Sequence, residues 1–157
     1  MDDAIESLAE EIADVASSTS TSLGVAESLT GGLLSSALAR ASGASDWFRG
    51  GLVAYSSEVK HDVLHVPQGP VVSATAATAM ARETRTLLGA DVALAVTGAG
   101  GPEPQDDQPP GTVFIALANG SDVSVTKHYF EQDDPEDVCR ETILEGLRII
   151  KAGLDER

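Results

Sequence analysis

The stretch that decides the fold reads Gly24-Val25-Ala26-Glu27-Ser28-Leu29-Thr30-Gly31-Gly32-Leu33-Leu34. Apolar residues lead into it, polar residues cluster at its centre, and two glycines precede an apolar run. This pattern predicts a buried strand, a tight turn and the start of a helix. A hydroxyl on such a turn lies beside unpaired N–H groups that can hold an anion or a developing oxyanion. The pattern equally fits an inert helix with Thr30 as its N-cap, so alone it leaves both interpretations open.

Composition limits the class of protein. The 157 residues suit a single domain over residues 1–157, and 42% hydrophobic residues with only 4% aromatics predict a core of Ala, Val and Leu. The chain has 25 acidic and 10 basic residues, a net charge of −15, which disfavours nucleic-acid binding through a basic face. Abundant acids with scarce lysine are typical of proteins that stay soluble in concentrated salt, so we hypothesise a halophilic, salt-rich cytoplasm.

Several features bear on the compartment. The single cysteine, Cys139, excludes an internal disulfide. No apolar run approaches the ~20 residues of a membrane span, and the acidic start is unlike a signal peptide. We therefore expect a cytoplasmic protein with no membrane partner.

Alternating strand-like and helix-like segments predict the architecture. We expect helices over 3–17, 30–41, 56–64 and 73–88 and from 135 onward, and strands over 23–27, 51–55, 91–96, 111–119 and 123–130. Strands separated by helices predict a three-layer α/β/α domain with a mixed, mostly parallel sheet of about five strands. Residues 111–130 indicate a hairpin, so one strand should be antiparallel. The acidic, proline-rich segment 103–110 predicts a mobile loop with Asp106 and Asp107 in solvent.

Polar residues follow three of the predicted strands. Ligands of open α/β sheets bind outside the carboxyl ends of the strands, and the loops after Ala26, Ala54 and Val96 are three such ends. Seven residues come within reach of one crevice there: Glu27, Ser28, Thr30, Tyr55, Ser56, Lys60 and Thr97.

Three blocks in these loops resemble the CinA C-terminal domain family, the nicotinamide mononucleotide deamidases also called PncC. The family's A-E-S-C-T-G-G is similar to Ala26-Glu27-Ser28-Leu29-Thr30-Gly31-Gly32. Its G-x-x-x-Y-[ST]-x-x-x-K is similar to Gly51-Leu52-Val53-Ala54-Tyr55-Ser56-Ser57-Glu58-Val59-Lys60. Its T-G-I-A-G-P and G-T-V are similar to residues 97–102 and 111–113. The resemblance runs over roughly residues 5–150.

The resemblance implies a cofactor-free and metal-free amidohydrolase that converts nicotinamide mononucleotide to nicotinic acid mononucleotide and ammonia. It carries Ser28 over as the nucleophile, with Tyr55 and Lys60 as activating partners. A lysine acts as a base when desolvation or a nearby cation, such as a pyridinium ring, lowers its pKa from ~10.4. The backbone around Thr30, Gly31 and Gly32 would form the oxyanion site. The remaining expected substrate contacts are Glu27, Ser56, Thr97, Gly98 and Arg140, and the family suggests a homo-oligomer.

Two departures from the family pattern leave the substrate open. Leu29 stands where the family has a cysteine, which excludes thiol chemistry there, and the family's F-x-G-x-R is absent after Phe130, with Arg140 only roughly replacing a basic residue. The alternative is a non-catalytic or redirected nucleotide-binding module of the same family, and a third class is a structural oligomerisation domain. His61 and His65 lie four residues apart, a spacing that metal pairs use, but without further ligands they favour surface histidines.

Overall fold

The computed structural model describes residues 2–157. In this part of the chain, one five-stranded sheet is accompanied by six helices. The elements, in chain order, are α1 Asp3–Thr19, β1 Leu23–Glu27, α2 Leu33–Ala39, α3 Ala44–Trp47, β2 Phe48–Val53, α4 Ser57–Val63, α5 Ala74–Leu88, β3 Val92–Gly98, β4 Thr112–Asn119, β5 Asp122–Tyr129 and α6 Pro135–Asp155.

The sheet has the order β2-β1-β3-β4-β5. Strand β1 pairs in parallel with β2 and β3, whereas β4 is antiparallel to both β3 and β5. Four strands therefore run in one direction and β4 opposes them, which confirms the predicted mixed α/β sheet with one reversed strand. Of the four strand pairs, two are parallel and two are antiparallel. The prediction of a mostly parallel sheet therefore holds for the directions of the strands but not for their pairing.

Two hydrophobic cores lie on opposite faces of the sheet, because successive side chains of a strand point to opposite sides. Val25, Leu94 and Ile115 join the core that contains α1, α2 and α6. The next residues along the same strands are all alanines, and they face α5. Small side chains on both α5 and this sheet face give the Ala-rich helix a flat surface to pack against.

Three local predictions need correction. The helix predicted from residue 30 begins at Leu33, because Gly31 and Gly32 adopt positive φ angles of 57° and 102° and prolong the turn. Residues 44–47, for which neither helix nor strand was predicted, form the short helix α3. Because α3 leads directly into β2, the strand predicted over 51–55 begins earlier, at Phe48, and ends at Val53.

The segment 103–110 has Asp106 and Asp107 exposed to solvent, as predicted, but it also makes ordered contacts that the prediction of a mobile loop did not include. Gln105 and Gln108 exchange backbone hydrogen bonds of 3.1 and 2.8 Å across a two-residue turn. The turn residues Asp106 and Asp107 both have positive φ angles, and the Asp106 carboxylate accepts hydrogen bonds from residues 71 and 72. The sequence pattern showed the proline and acid content but not this distant contact.

No helix within residues 2–157 has both the length and the apolar character to cross a bilayer.

Candidate active site

The strand order places a crevice at the carboxyl end of β1. The next strand in the chain, β2, lies on one side of β1, and the strand after it, β3, lies on the other side. This reversal of strand order is a topological switch point, where ligands of open α/β sheets bind. A pocket of about 320 Å³ opens there, and it is lined by Ser28, Leu29, Tyr55, Gly98, Gly100, Gly101, Glu103, Pro104, Gln105 and Pro135.

Glu27, the last residue of β1, organises the turn that carries Ser28. Its side chain is fully buried, and its Oε1 accepts hydrogen bonds from the Thr30 hydroxyl (2.6 Å) and from the N–H groups of Gly32 (3.2 Å) and Leu34 (2.9 Å). Its Oε2 accepts from the N–H (2.8 Å) and hydroxyl (2.6 Å) of Ser35. Glu27 therefore caps α2 from outside the helix, and Thr30, the predicted N-cap, is one of its donors.

This arrangement corrects the expected oxyanion site. The Gly32 N–H donates to the protein's own Glu27 carboxylate, and the Gly31 N–H donates to the Ser28 carbonyl at 3.1 Å. Neither glycine N–H is therefore available to an oxyanion. The N–H groups of Leu29 and Thr30 have no acceptor among residues 2–157. The backbone donors available to a ligand beside Ser28 are thus those of Leu29 and Thr30, which precede the two glycines.

Ser28 is a nearly buried part of the pocket lining. It is only 6% exposed and lines the pocket directly. Tyr55 lines the same pocket from the end of β2 and is 72% exposed, so its ring forms part of the rim. The structure brings the predicted nucleophile and the predicted tyrosine to one cavity.

Lys60 is a residue of α4 and contacts the backbone of Tyr55. It is 2% exposed, and its Nζ donates a 3.3 Å hydrogen bond to the Tyr55 carbonyl. Burial lowers the pKa of the Lys60 amine below its usual range, and the negative charge of Asp106 partly opposes that effect. A solvated surface lysine is therefore excluded, although Lys60 does not itself line the pocket surface.

The other expected substrate contacts have structural partners. Thr97 is fully buried and donates its hydroxyl to the Val71 carbonyl at 2.7 Å. Ser56 caps α4 by accepting from the Val59 N–H at 3.2 Å.

Gly98 and Arg140 differ sharply in their relation to the pocket. Gly98 lines it, and a Cβ there would lie 2.8 Å from Val113 Cγ2, so the close approach of β4 requires glycine. Arg140 is occupied elsewhere, because it pairs with Asp2 and with Glu141 on the surface. The expected contact between Arg140 and the substrate is therefore not supported.

Seven pocket residues were not predicted as site residues: Leu29, Pro135 and, in the loop after β3, Gly100, Gly101 and the wall formed by Glu103, Pro104 and Gln105. The glycine and proline content of that loop was the only sequence signal that could have found the five loop residues. Within residues 2–157 no lysine or arginine lines the pocket, and Glu103 gives its wall a negative charge.

The histidines occupy separate positions. His61 Nδ1 is 2.9 Å from the Val66 carbonyl, and His65 Nδ1 is 3.1 Å from Glu83. Residues 2–157 contain no group of three or more His, Cys, Asp or Glu side chains placed to hold a metal ion.

Fold and site together define an α/β domain with a serine-bearing ligand pocket at its topological switch point. The chain belongs to the CinA C-terminal domain family, whose model matches residues 5–154.

Individual relatives agree with the family assignment. A CinA-like protein from Frankia casuarinae is 42% identical over 137 residues, which cover 84% of this chain and 31% of that protein. A CinA-like protein from Geobacter sulfurreducens is 43% identical over 134 residues, covering 80% of this chain and 32% of that protein. The chain thus spans about a third of the length of these curated relatives.

Solved structures of the same superfamily have the same fold over nearly all of their length. A competence-damaged protein (CinA) superfamily protein from Klebsiella pneumoniae has a TM-score of 0.93 at 28% identity, covering 98% of this chain and 99% of that one. A competence/damage inducible protein from Agrobacterium tumefaciens has a TM-score of 0.92 at 28% identity, with 98% and 97% covered.

Proposed function

We propose that this chain is a metal-independent amidohydrolase that converts nicotinamide mononucleotide to nicotinic acid mononucleotide and ammonia, with Ser28 as nucleophile and Lys60 as its base. The observation that carries the proposal is the burial of the Lys60 amine against the Tyr55 carbonyl, next to the pocket that Ser28 and Tyr55 line. A desolvated lysine is a base that can activate a serine hydroxyl near neutral pH.

The reaction has two stages, formation of an acyl ester on Ser28 and hydrolysis of that ester. Ser28 Oγ bonds to the carboxamide carbon while its proton passes to the neutral Lys60 amine, and the carbonyl electron pair moves onto oxygen. The C–N bond then breaks, and the nitrogen takes a proton from the Lys60 ammonium and leaves as ammonia. Water then attacks the ester carbon and gives a proton to the Lys60 amine, which passes it to Ser28 Oγ as the ester C–O bond breaks. The water oxygen stays on the product as part of the carboxylate, and the second water proton is released and ionises the ammonia to ammonium.

The remaining groups have supporting roles in this mechanism. The N–H groups of Leu29 and Thr30 are the donors available for the oxyanion, and each such donor is typically worth about 10²–10³ in rate. Tyr55 holds the Lys60 amine through its carbonyl and presents its ring to the substrate. The negative Glu103 on the pocket wall suits a pyridinium ring, which is positively charged.

A second candidate is a redirected nucleotide- or nucleoside-binding module of the same family. Two observations favour it: no lysine or arginine among residues 2–157 lines the pocket, and Arg140 is paired with Asp2. A phosphate group is usually bound by such cations or by free backbone N–H groups. The two candidates therefore differ in whether the phosphate of the substrate contributes to binding.

Ammonia release from nicotinamide mononucleotide and from nicotinamide riboside, each measured in low and high KCl, tests both candidates. The amidase proposal expects release that is lost in Ser28→Ala and kept in Ser124→Ala, a matched serine exposed on β5. Equal or faster release from the riboside would favour a redirected amidase. Binding by thermal shift with no release under any salt condition would overturn the amidase proposal.

A further inference from the structure

The loop after β3 carries a carboxylate that the proposed reaction does not use. Asp106 lies in the turn between Gln105 and Gln108, where it and Asp107 have φ angles of 52° and 61°. Two successive non-glycine residues in the left-handed region are strained, at of order 1 kcal/mol or more each, and such strain persists only where surrounding contacts impose it. The contacts of Asp106 supply that constraint.

The Asp106 carboxylate ties the pocket wall to a distant segment. Its Oδ2 accepts hydrogen bonds from the N–H groups of Val71 and Val72, both at 2.9 Å and both on buried residues. The Val71 carbonyl in turn accepts from the Thr97 hydroxyl at the end of β3. One carboxylate oxygen therefore fixes the loop whose residues 103–105 form the pocket wall.

The charge of the same carboxylate also affects the buried lysine. Burial lowers the pKa of the Lys60 amine, and the negative charge of Asp106 acts in the opposite direction. Among residues 2–157 no ion pair joins the two side chains, so this effect is weaker than that of a direct contact.

Other charged groups near Lys60 have different surroundings. On α4 itself, Glu58 and Asp62 are exposed to solvent, and His61 bonds the Val66 carbonyl. His65, which follows α4, pairs with Glu83 of α5. Asp106 is the acid from outside α4 whose charge acts on the amine.

We propose that Asp106 is a positioning residue of this site: its carboxylate holds the loop that forms the pocket wall against residues 71–72, and its negative charge acts on the buried Lys60 amine from beyond ion-pair distance. The proposal rests on the proposed amidase function for its effect on rate. Substitutions can separate its two physical components, which are the tether, meaning the hydrogen bonds from Val71 and Val72 to the Asp106 carboxylate, and the negative charge of that carboxylate.

Three variants separate these parts. Asp106→Asn keeps an oxygen that can accept both N–H groups and tolerates a left-handed backbone, but removes the charge. Asp106→Gly removes tether and charge without backbone strain. Asp107→Asn is the matched control, since it changes the neighbouring acid of the same turn.

Kinetics form the first readout. For Asp106→Asn we expect an unchanged KM, with the rising limb of kcat/KM against pH displaced to lower pH, because the amine loses its proton more readily. For Asp106→Gly we expect in addition a loss of about 10²-fold in kcat/KM, the size that misplacement of a positioning contact can produce. Asp107→Asn should stay within about twofold of the parent enzyme.

A second readout does not depend on activity. The chain has three lysines, so ¹³Cε labelling of lysine allows the Lys60 titration to be followed by NMR in the intact protein. The midpoint should move to lower pH in Asp106→Asn and stay in place in Asp107→Asn. An unmoved midpoint, or an Asp106→Gly variant with parental kinetics, overturns the assignment of Asp106. A moved midpoint in a protein that releases no ammonia supports the contact while refuting the amidase.

Discussion

Replacing Glu27 with glutamine tests whether the buried carboxylate holds the nucleophile turn. The carboxylate accepts five hydrogen bonds, three at Oε1 and two at Oε2. A glutamine amide has one oxygen, which fits best at Oε1, so its NH₂ group must face the Ser35 N–H. At least one buried donor then loses its acceptor.

The magnitude follows from these bonds. An unpaired buried N–H costs about 1–3 kcal/mol, and each bond retained at Oε1 loses about 1 kcal/mol when its acceptor becomes neutral. Removing a buried charge offsets part of this cost. We expect a net loss of about 2–4 kcal/mol in the free energy of unfolding, which corresponds to a fall of about 5–15 °C in Tm for a domain of this size.

Thermal and urea unfolding of Glu27→Gln against Glu11→Gln, a glutamate exposed on α1, measures this loss. The control should lie within about 0.5 kcal/mol of the parent protein. If Glu27→Gln unfolds at the same temperature and urea concentration as the control, the carboxylate does not stabilise the turn and the capping role is refuted.

Four further outcomes are expected. Because folded Lys60 releases its proton at a lower pH than the unfolded chain does, the free energy of unfolding should rise with pH between its lowered folded pKa and about 10.4, and urea unfolding from pH 7 to 10 should show no such rise in Lys60→Met. Gly51→Ala should destabilise by more than about 2 kcal/mol, since its Cβ would lie 1.9 Å from Ser35 Oγ, whereas Gly100→Ala, with Leu29 Cβ at 3.6 Å, should unfold like the parent. Raising KCl should raise Tm, because salt screens the repulsion within a chain of net charge −15, and a Tm that is independent of KCl contradicts the halophilic hypothesis. Light scattering should give a multiple of 16.2 kDa if the expected homo-oligomer forms, and a monomer mass removes that expectation.

The fold could be predicted from sequence because its signals are local. The strand over 23–27 matches the predicted bounds, and β4 and β5 differ from theirs by at most one residue at each end. Periodicity and turn residues are properties of neighbouring positions, so a single sequence contains them. The predicted start of α2 was wrong because it, too, relied on a local signal. A serine or threonine before a helix is the usual N-cap, whereas here the capping group is the carboxylate of Glu27 on the preceding strand.

The site could be predicted only in part. The placement of Ser28 and Tyr55 follows from the rule that strand ends meet at one edge of the sheet. The roles of Arg140 and Asp106 depend on partners that are 138 and 34–35 residues away in the chain, and nothing near either residue indicates such partners. In the second case composition correctly indicated an exposed turn, because two adjacent acids beside prolines are typical of solvated loops, but it gave no sign of the contact with residues 71 and 72.

The position of Lys60 is difficult to explain by stability alone. Burying an ammonium costs free energy, and here its only hydrogen-bond partner among residues 2–157 is one backbone carbonyl. An apolar side chain of similar length would fill the same space on α4 without that cost, whereas nearby Val59 and Val63 on the same helix are 40% and 46% exposed. An element that places its lysine inside and its valines outside contradicts the usual pattern of an amphipathic helix, and such contradictions concentrate at functional sites. This inversion therefore supports the proposed role of Lys60 as a base whose proton affinity is reduced by burial, and the purely structural alternative gives no reason for it.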